Sequence, residues 1–187
     1  MEGAPEGLSV DEIVALLTSG ADRSLNPDGT VSQLDHALQT AALLARDCPG
    51  DPELAAAGLV HDLGHLLPGG SDERHAADGA AAVRPVLGER VARIVALHVE
   101  AKRYLVASEG GYGARLAGDS VHSLGHQGGA LSAQEAEAFL RIESAGDALV
   151  LRRADDRAKM DGLVVDGLDR WVPLLRQLAR QEGSSDR

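Results

Sequence analysis

In the stretch QLDHALQTAALLARDC the apolar positions Leu34, Leu38, Ala41, Ala42 and Ala45 recur at the period of one helical face. The same reading extends along the chain. LSVDEIVALLTSG predicts a short helix with Ser9 as N-cap and Gly20 at its end. ADRSLNPDGTVS is expected to be a loop, with Pro27-Asp28-Gly29 as its turn. DPELAAAGLVHDLGHLL predicts a helix capped by Asp51 with Pro52 at its first position, apolar on most sides and therefore central. PGGSDERHAADGAAAVRPVLG begins as a loop and continues as a short helix from about His75, bounded by Pro85. ERVARIVALHVEAKRYLVA predicts a helix throughout.

Residues 108–130 are rich in glycine and small polar side chains, which suggests a long ordered loop with short helical turns. Ser132 with Glu135 three on is a capping box. AGDALVLRRADDRAKMDGL and LDRWVPLLRQLARQ complete an all-α chain, and the tail from about 182 is expected to fray. With no internal repeat and no linker, residues 1–187 read as a single domain whose core covers about 31–180.

Composition narrows this picture. The chain has one Phe, one Trp and two Tyr, so its core must be built from Ala, Leu and Val, which suits close-packed helices. A net charge of -11 argues against a nucleic-acid surface. It also means that an anionic substrate must be held by a local cluster of cations or by metal. The single cysteine, Cys48, excludes an internal disulfide and reads as a small buried or loop residue of a protein in a reducing compartment. No apolar run approaches the ~20 residues that span a bilayer, and the first residues lack a basic start and an apolar stretch. A soluble cytoplasmic protein without a membrane partner is expected.

The candidate chemistry lies in the histidines. HDLGH places His61 beside Asp62, with His65 four positions after His61. A carboxylate has two oxygens and can bridge two metals, whereas a neutral imidazole binds one. A charged Asp in an Ala- and Leu-rich segment is costly unless it is paired or metal-bound. Asp62 is thus a natural centre for a dinuclear site; the alternative is a buried Asp62 paired to an arginine.

At this point the chain resembles the HD-domain superfamily, an all-helical metal-binding fold. Its pattern is met by His36, by His61-Asp62 and by Asp155 in LRRADDRAK, with His75 and His98 between them. The resemblance implies one metal held by His36, His61, Asp62 and Asp155. Asp62 would bridge to a second, held also by His75 and His98. Six nitrogen and oxygen ligands suit iron or manganese as well as zinc.

Most of the superfamily are phosphohydrolases, but four stretches in order resemble the phosphonate-cleaving di-iron oxygenases of the PhnZ type, related to myo-inositol oxygenase. They are VSQLDHALQTA, HVEAKRYL, HSLGHQGG and LRRADDRAK, covering about residues 31 to 160. The resemblance implies two iron ions in the mixed-valence Fe(II)/Fe(III) state, dioxygen as co-substrate, and an organophosphonate held by Lys102, Ser123, Gln127 and Arg152. His65 would serve as base or hydrogen-bond partner for the substrate hydroxyl. The expected reaction is oxidative cleavage of the carbon–phosphorus bond of a 1-hydroxyalkylphosphonate, giving phosphate and a carboxylic acid.

Plainer roles stand beside these. Lys102 and Arg103 also suit a solvated helix end, and Arg152 also suits an ion pair with Asp147 or Asp156. His122 or His126 could approach in place of Ser123. Arg153, Asp156 and Lys159 read as structural ion pairs.

The resemblance breaks at one place. The oxygenases carry a Tyr and a Glu ten and seven residues before the first His ligand, where this chain has Asn26 and Gly29. The Tyr caps an iron and the Glu reads the amino group of the substrate, so either both functions are lost or Asp28 replaces the acid. A smaller or differently substituted phosphonate is therefore expected. The competing functions are a metal-dependent phosphohydrolase acting on a phosphate monoester or nucleotide, and a metal-stabilised regulatory module.

Overall fold

A computed structural model of the chain describes residues 7–25 and 29–185. Among them ten α-helices follow one another: α1 (Val10–Ser19), α2 (Gln33–Asp47), α3 (Pro52–Val60), α4 (His75–Leu87), α5 (Glu89–Ser108), α6 (Tyr112–Arg115), α7 (Gly118–His126), α8 (Ala133–Leu140), α9 (Ala145–Arg157) and α10 (Val172–Ser185). Short 3-10 turns cover Gly20–Asp22, Leu63–His65 and Leu168–Arg170. No strand occurs among the described residues; an isolated bridge joins Ser24 to Ser32 across the loop before α2.

The helices begin where side chains can satisfy their free amides. Ser9, Ser32 and Ser132 each accept a hydrogen bond from the amide three residues on, while the Glu12, Asp35 and Glu135 carboxylates accept one from the cap residue's own amide. Asp51 accepts from the Leu54 amide, with Pro52 opening α3. The Ser32 box fixes the first turn of α2, from which His36 enters the interior.

The main core joins α1 to α5 with α9 and α10, through residues such as Leu17, Leu44, Leu59, Ile94, Leu151 and Leu175. Every residue from Leu54 to Val60 is buried, so α3 is central as its composition requires. A smaller cluster, with Phe139, Ala101 and Ala148, closes the space between α5, α8 and α9.

Four local expectations change. The helix expected to run through HDLGH stops at Val60, and Asp62 takes φ -99 and ψ 9, the sparsely allowed bridge between helix and strand. The turn lets Gly64 pack backbone to backbone on α4: a Cβ there would stand 2.0 Å from the His75 carbonyl oxygen. Pro85 does not bound α4 but lies within its last turn. There it forfeits one amide near the helix end, and α4 closes instead at Gly88, whose φ of +88 suits glycine. The segment 108–130 contains the nine-residue α7 rather than short turns alone. Finally, α10 continues to Ser185, so residues 182–185 of the expected frayed tail are helical. No helix among the described residues is long and apolar enough to cross a membrane.

Candidate metal centre

Five elements bring six ligand candidates to one place. His36 comes from α2, His61 and Asp62 from the turn after α3, His75 from the start of α4, His98 from the middle of α5 and Asp155 from the last turn of α9. All four histidines and Asp155 are buried, and Asp62 is 18% exposed.

Each of the four rings turns Nδ1 to a backbone carbonyl: His36 to Ala158 at 3.1 Å, His61 to Gly58 at 2.8 Å, His75 to Asp72 at 2.8 Å and His98 to Val95 at 2.7 Å. A carbonyl only accepts, so every Nδ1 carries a proton and every Nε2 is left for another partner. The Nε2 atoms then face one another in pairs, His36 with His61 at 3.2 Å and His75 with His98 at 3.0 Å. Lone pairs at such distances repel unless a cation is shared between them.

Asp62 divides its oxygens between the pairs. Oδ2 lies 3.3 Å from His61 Nε2 and 3.6 Å from His36 Nε2; Oδ1 lies 3.5 Å from His98 Nε2 and 3.6 Å from His75 Nε2. Asp155 adds Oδ1 at 3.2 Å from His36 and Oδ2 at 3.8 Å from His61. The trios His36, His61, Asp62 and Asp62, His75, His98 are each compact enough for one ion, and they share Asp62. The donors therefore fit two metals of the iron, manganese or zinc kind.

The electrostatics agree. Burial pushes His75 down to about 3, reinforced by the nearby His98, and burial also lowers His98. Burial thus favours the neutral form of both rings, the form that binds metal. Burial opposes the charge on Asp62 and Asp155, but His61 beside the first and Arg152 with Lys159 beside the second hold both well below the usual carboxylate range. Burial opposes protonation of His61 as well, yet the Asp62 charge outweighs it and raises His61 to about 9. The field at that nitrogen favours a positive charge.

A cavity of about 210 Å³ opens on Asp62, His75 and His98, and its lining includes all of the expected substrate residues: His65, Lys102, Ser123, Gln127 and Arg152. Lys102 is not a solvated helix end. It is 3% exposed, donates to Ser123 Oγ at 2.7 Å, and is pushed down to about 8 by burial with the Arg152 charge adding to it. Arg152, also 3% exposed, pairs with Asp155 at 2.6 Å and with Asp156, while Asp147 is taken by Arg90. Its Nε is buried without a protein partner. His65 stacks on His75 with ring centres 4.0 Å apart, and its Nδ1 lies 3.5 Å from Asp72 Oδ1. Gln127 donates to the Asp72 carbonyl at 3.1 Å, so that carbonyl serves both Gln127 and His75. Around Ser123, His122 also lines the cavity.

Sequence reading missed part of this wall. Lys159, assigned to a structural ion pair, lines the cavity and donates to Ser120 Oγ at 2.8 Å while standing 3.9 Å from Asp155. Its place four residues after a ligand was a usable signal. Ser120 and Asp72 carried none. Of the positions that break the resemblance, Asn26 and Asp28 lie outside the described residues, and Gly29 is exposed with φ +72.

Comparison with known proteins adds four findings. The HD domain pattern matches residues 34–141. A hydroxymethylphosphonate dioxygenase of Gimesia maris is 37% identical over 153 residues, 77% of this chain and 76% of that protein. A glycine-betaine-forming 1-hydroxy-2-(trimethylamino)ethylphosphonate dioxygenase of Leisingera caerulea is 28% identical over 157 residues, 79% of each chain. Inositol oxygenase 1 of Arabidopsis thaliana is 40% identical over 60 residues, 32% of this chain and 19% of that protein.

Proposed function

The chain belongs to the HD-domain family, in its phosphonate-dioxygenase branch, and on that footing we propose that it cleaves the carbon–phosphorus bond of a small 1-hydroxyalkylphosphonate with dioxygen. The observation that carries the reading is the shared cavity: the bridging Asp62 with His75 and His98 lies in the same 210 Å³ space as Lys102, Arg152 and Ser123. A phosphohydrolase needs metals and a phosphate site as well, so the choice between the two rests on the relatives.

Two iron ions, in the mixed-valence Fe(II)/Fe(III) state, would be held by His36, His61, Asp62 and Asp155 and by Asp62, His75 and His98, and would supply dioxygen activation and abstraction of the C1 hydrogen. The remaining work falls to the protein. Lys102 and Arg152 hold the phosphonate by charge, with Ser123 and Gln127 as further polar partners. Held there, the substrate's C1 and its hydroxyl are directed toward the Asp62 side of the cavity, and fixed orientation of this kind lowers the barrier. His65, kept in place by stacking on His75, is the hydrogen-bond partner of that hydroxyl and holds its proton at Nε2. In the balanced conversion one substrate and one dioxygen give one phosphate and one carboxylic acid. The C–P bond breaks, C1 is oxidised and dioxygen is reduced.

Hydroxymethylphosphonate is the first substrate to test, since the cavity is small and a relative is named for that compound. Iron-loaded protein is incubated in air with a panel of 1-hydroxyalkylphosphonates and released phosphate is scored. Release in air and none under anaerobic conditions is expected. Release from ordinary phosphate esters by zinc-loaded protein, with none from phosphonates, would identify a phosphohydrolase instead.

A further inference from the structure

Arg152 is held by two carboxylates, and only one of them belongs to the metal centre. One terminal nitrogen pairs with Asp155 Oδ2 at 2.6 Å; the other donates to Asp156 Oδ1 and lies 3.4 Å from Ser120 Oγ. Asp156 has its second oxygen occupied too, since Oδ2 accepts the hydroxyl hydrogen of Tyr112. Tyr112 opens α6, far from Asp156 in sequence, and is 5% exposed. It does not line the reaction cavity, but it lines a separate surface cavity together with Asp156. The neighbouring Arg153, which would compete for Asp156, is drawn off by a two-pronged pair with Glu109 at the end of α5. Asp156 is therefore left to two partners, one on each oxygen.

We propose that Tyr112 and Asp156 form a positioning relay that sets the Arg152 fork for the phosphonate. A guanidinium binds a phosphonate well only when its plane is fixed, because its donors form a rigid fork. Asp155 alone fixes one end of that plane. Asp156 fixes the other, and the Tyr112 hydroxyl stops the Asp156 carboxylate from rotating away. The guanidinium, whose buried Nε has no protein acceptor, then faces the cavity that Arg152 lines at one fixed angle. Burial raises the Tyr112 hydroxyl above its ordinary range, so it remains a donor through the neutral region. Neither residue touches substrate.

The relay rests on the phosphonate reading of the cavity, and its test separates the two. Dissociation constants of inorganic phosphate and methylphosphonate are measured under anaerobic conditions by calorimetry on iron-loaded wild type, Tyr112→Phe, Asp156→Asn and the double variant. KM and kcat for hydroxymethylphosphonate are measured in air. Tyr112→Phe is expected to weaken binding about 3- to 10-fold, the loss of one buried hydrogen bond, and to raise KM by a similar factor with kcat within about 2-fold. The double variant is expected to lose less than the two single losses combined, because the hydroxyl acts mainly by holding that carboxylate. Wild-type affinity in both single variants, or effects that simply add in the double variant, overturns the relay. Loss of iron from Tyr112→Phe also overturns it, by making Tyr112 a support of the metal centre rather than of the Arg152 fork. A wild type that releases no phosphate from phosphonates overturns the functional reading instead, and the binding constants still judge the relay. A wild type that binds neither anion overturns both.

Discussion

His75 and His98 meet Nε2 to Nε2 at 3.0 Å, each with its Nδ1 hydrogen given to a backbone carbonyl. Burial disfavours a second proton on either ring, and a metal ion between the two nitrogens would relieve their contact. Chelation is therefore expected to lower the melting temperature and ferrous iron to restore it. Binding at about 1,000 times the dissociation constant is worth roughly 4 kcal/mol. His98→Ala should retain one metal per chain, and Asp62→Ala, which removes the shared ligand, should lose both. Elemental analysis of the purified variants distinguishes these outcomes; equal metal loss in the two would contradict the bridge.

Lys102 gives a pH dependence with a definite sign. Burial lowers it from 10.5 to about 8, so it is charged below that value and neutral above. Affinity for an anion should fall as pH rises through about 8, and Lys102→Met should remove that limb while raising KM at pH 7. Stability runs the other way. Between about 8 and 10.5 the unfolded chain binds the proton that the folded chain has lost, so the cost of burying the charged lysine, full below 8, is relieved as pH rises. Phosphate binding and urea melts across this range measure the two opposite trends.

Gly64→Ala should be severe, because its methyl group would meet the His75 carbonyl at 2.0 Å and backbone must move. A loss of about 1–3 kcal/mol is expected from overpacking of this kind. Metal content should fall with it, since His61, Asp62 and His75 flank the contact. Denaturant unfolding with a parallel iron assay tests this.

Arg90 offers a contrast. It pairs with Asp51 at 2.6 Å, Glu53 at 3.1 Å and Asp147 at 3.0 Å, joining the start of α3 to α5 and α9 away from the cavity. Arg90→Ala should cost about 1 kcal/mol, less at high salt, with unchanged KM and iron content. A changed KM would show that the scaffold and the site are more tightly coupled than their separation implies.

Much of the fold was legible because its signals are local. The Ser132 box and the Asp51-Pro52 start each specify a helix end through a few neighbouring residues. The candidate ligands were legible through their type and order, and the structure gathers all six. What escaped was set by contacts distant in sequence. The turn at Asp62 exists because Gly64 meets His75, which no periodicity within HDLGH records. Ser120 and Lys159 meet only when α7 folds over the end of α9. Asp156 was legible as an ion pair, and it does pair with Arg152, but its second partner Tyr112 lies 44 residues away.

The Asp72 carbonyl, which receives both His75 and Gln127, constrains how the chain can be re-engineered. Residues 68–74 are exposed and contain two glycines, the profile of a loop that tolerates grafted peptides or tags. Its length is nevertheless fixed, because one added residue before Asp72 would withdraw the acceptor from a candidate metal ligand and from the cavity wall together. Insertions belong elsewhere on this surface; here a change in loop length would be felt at the metal centre.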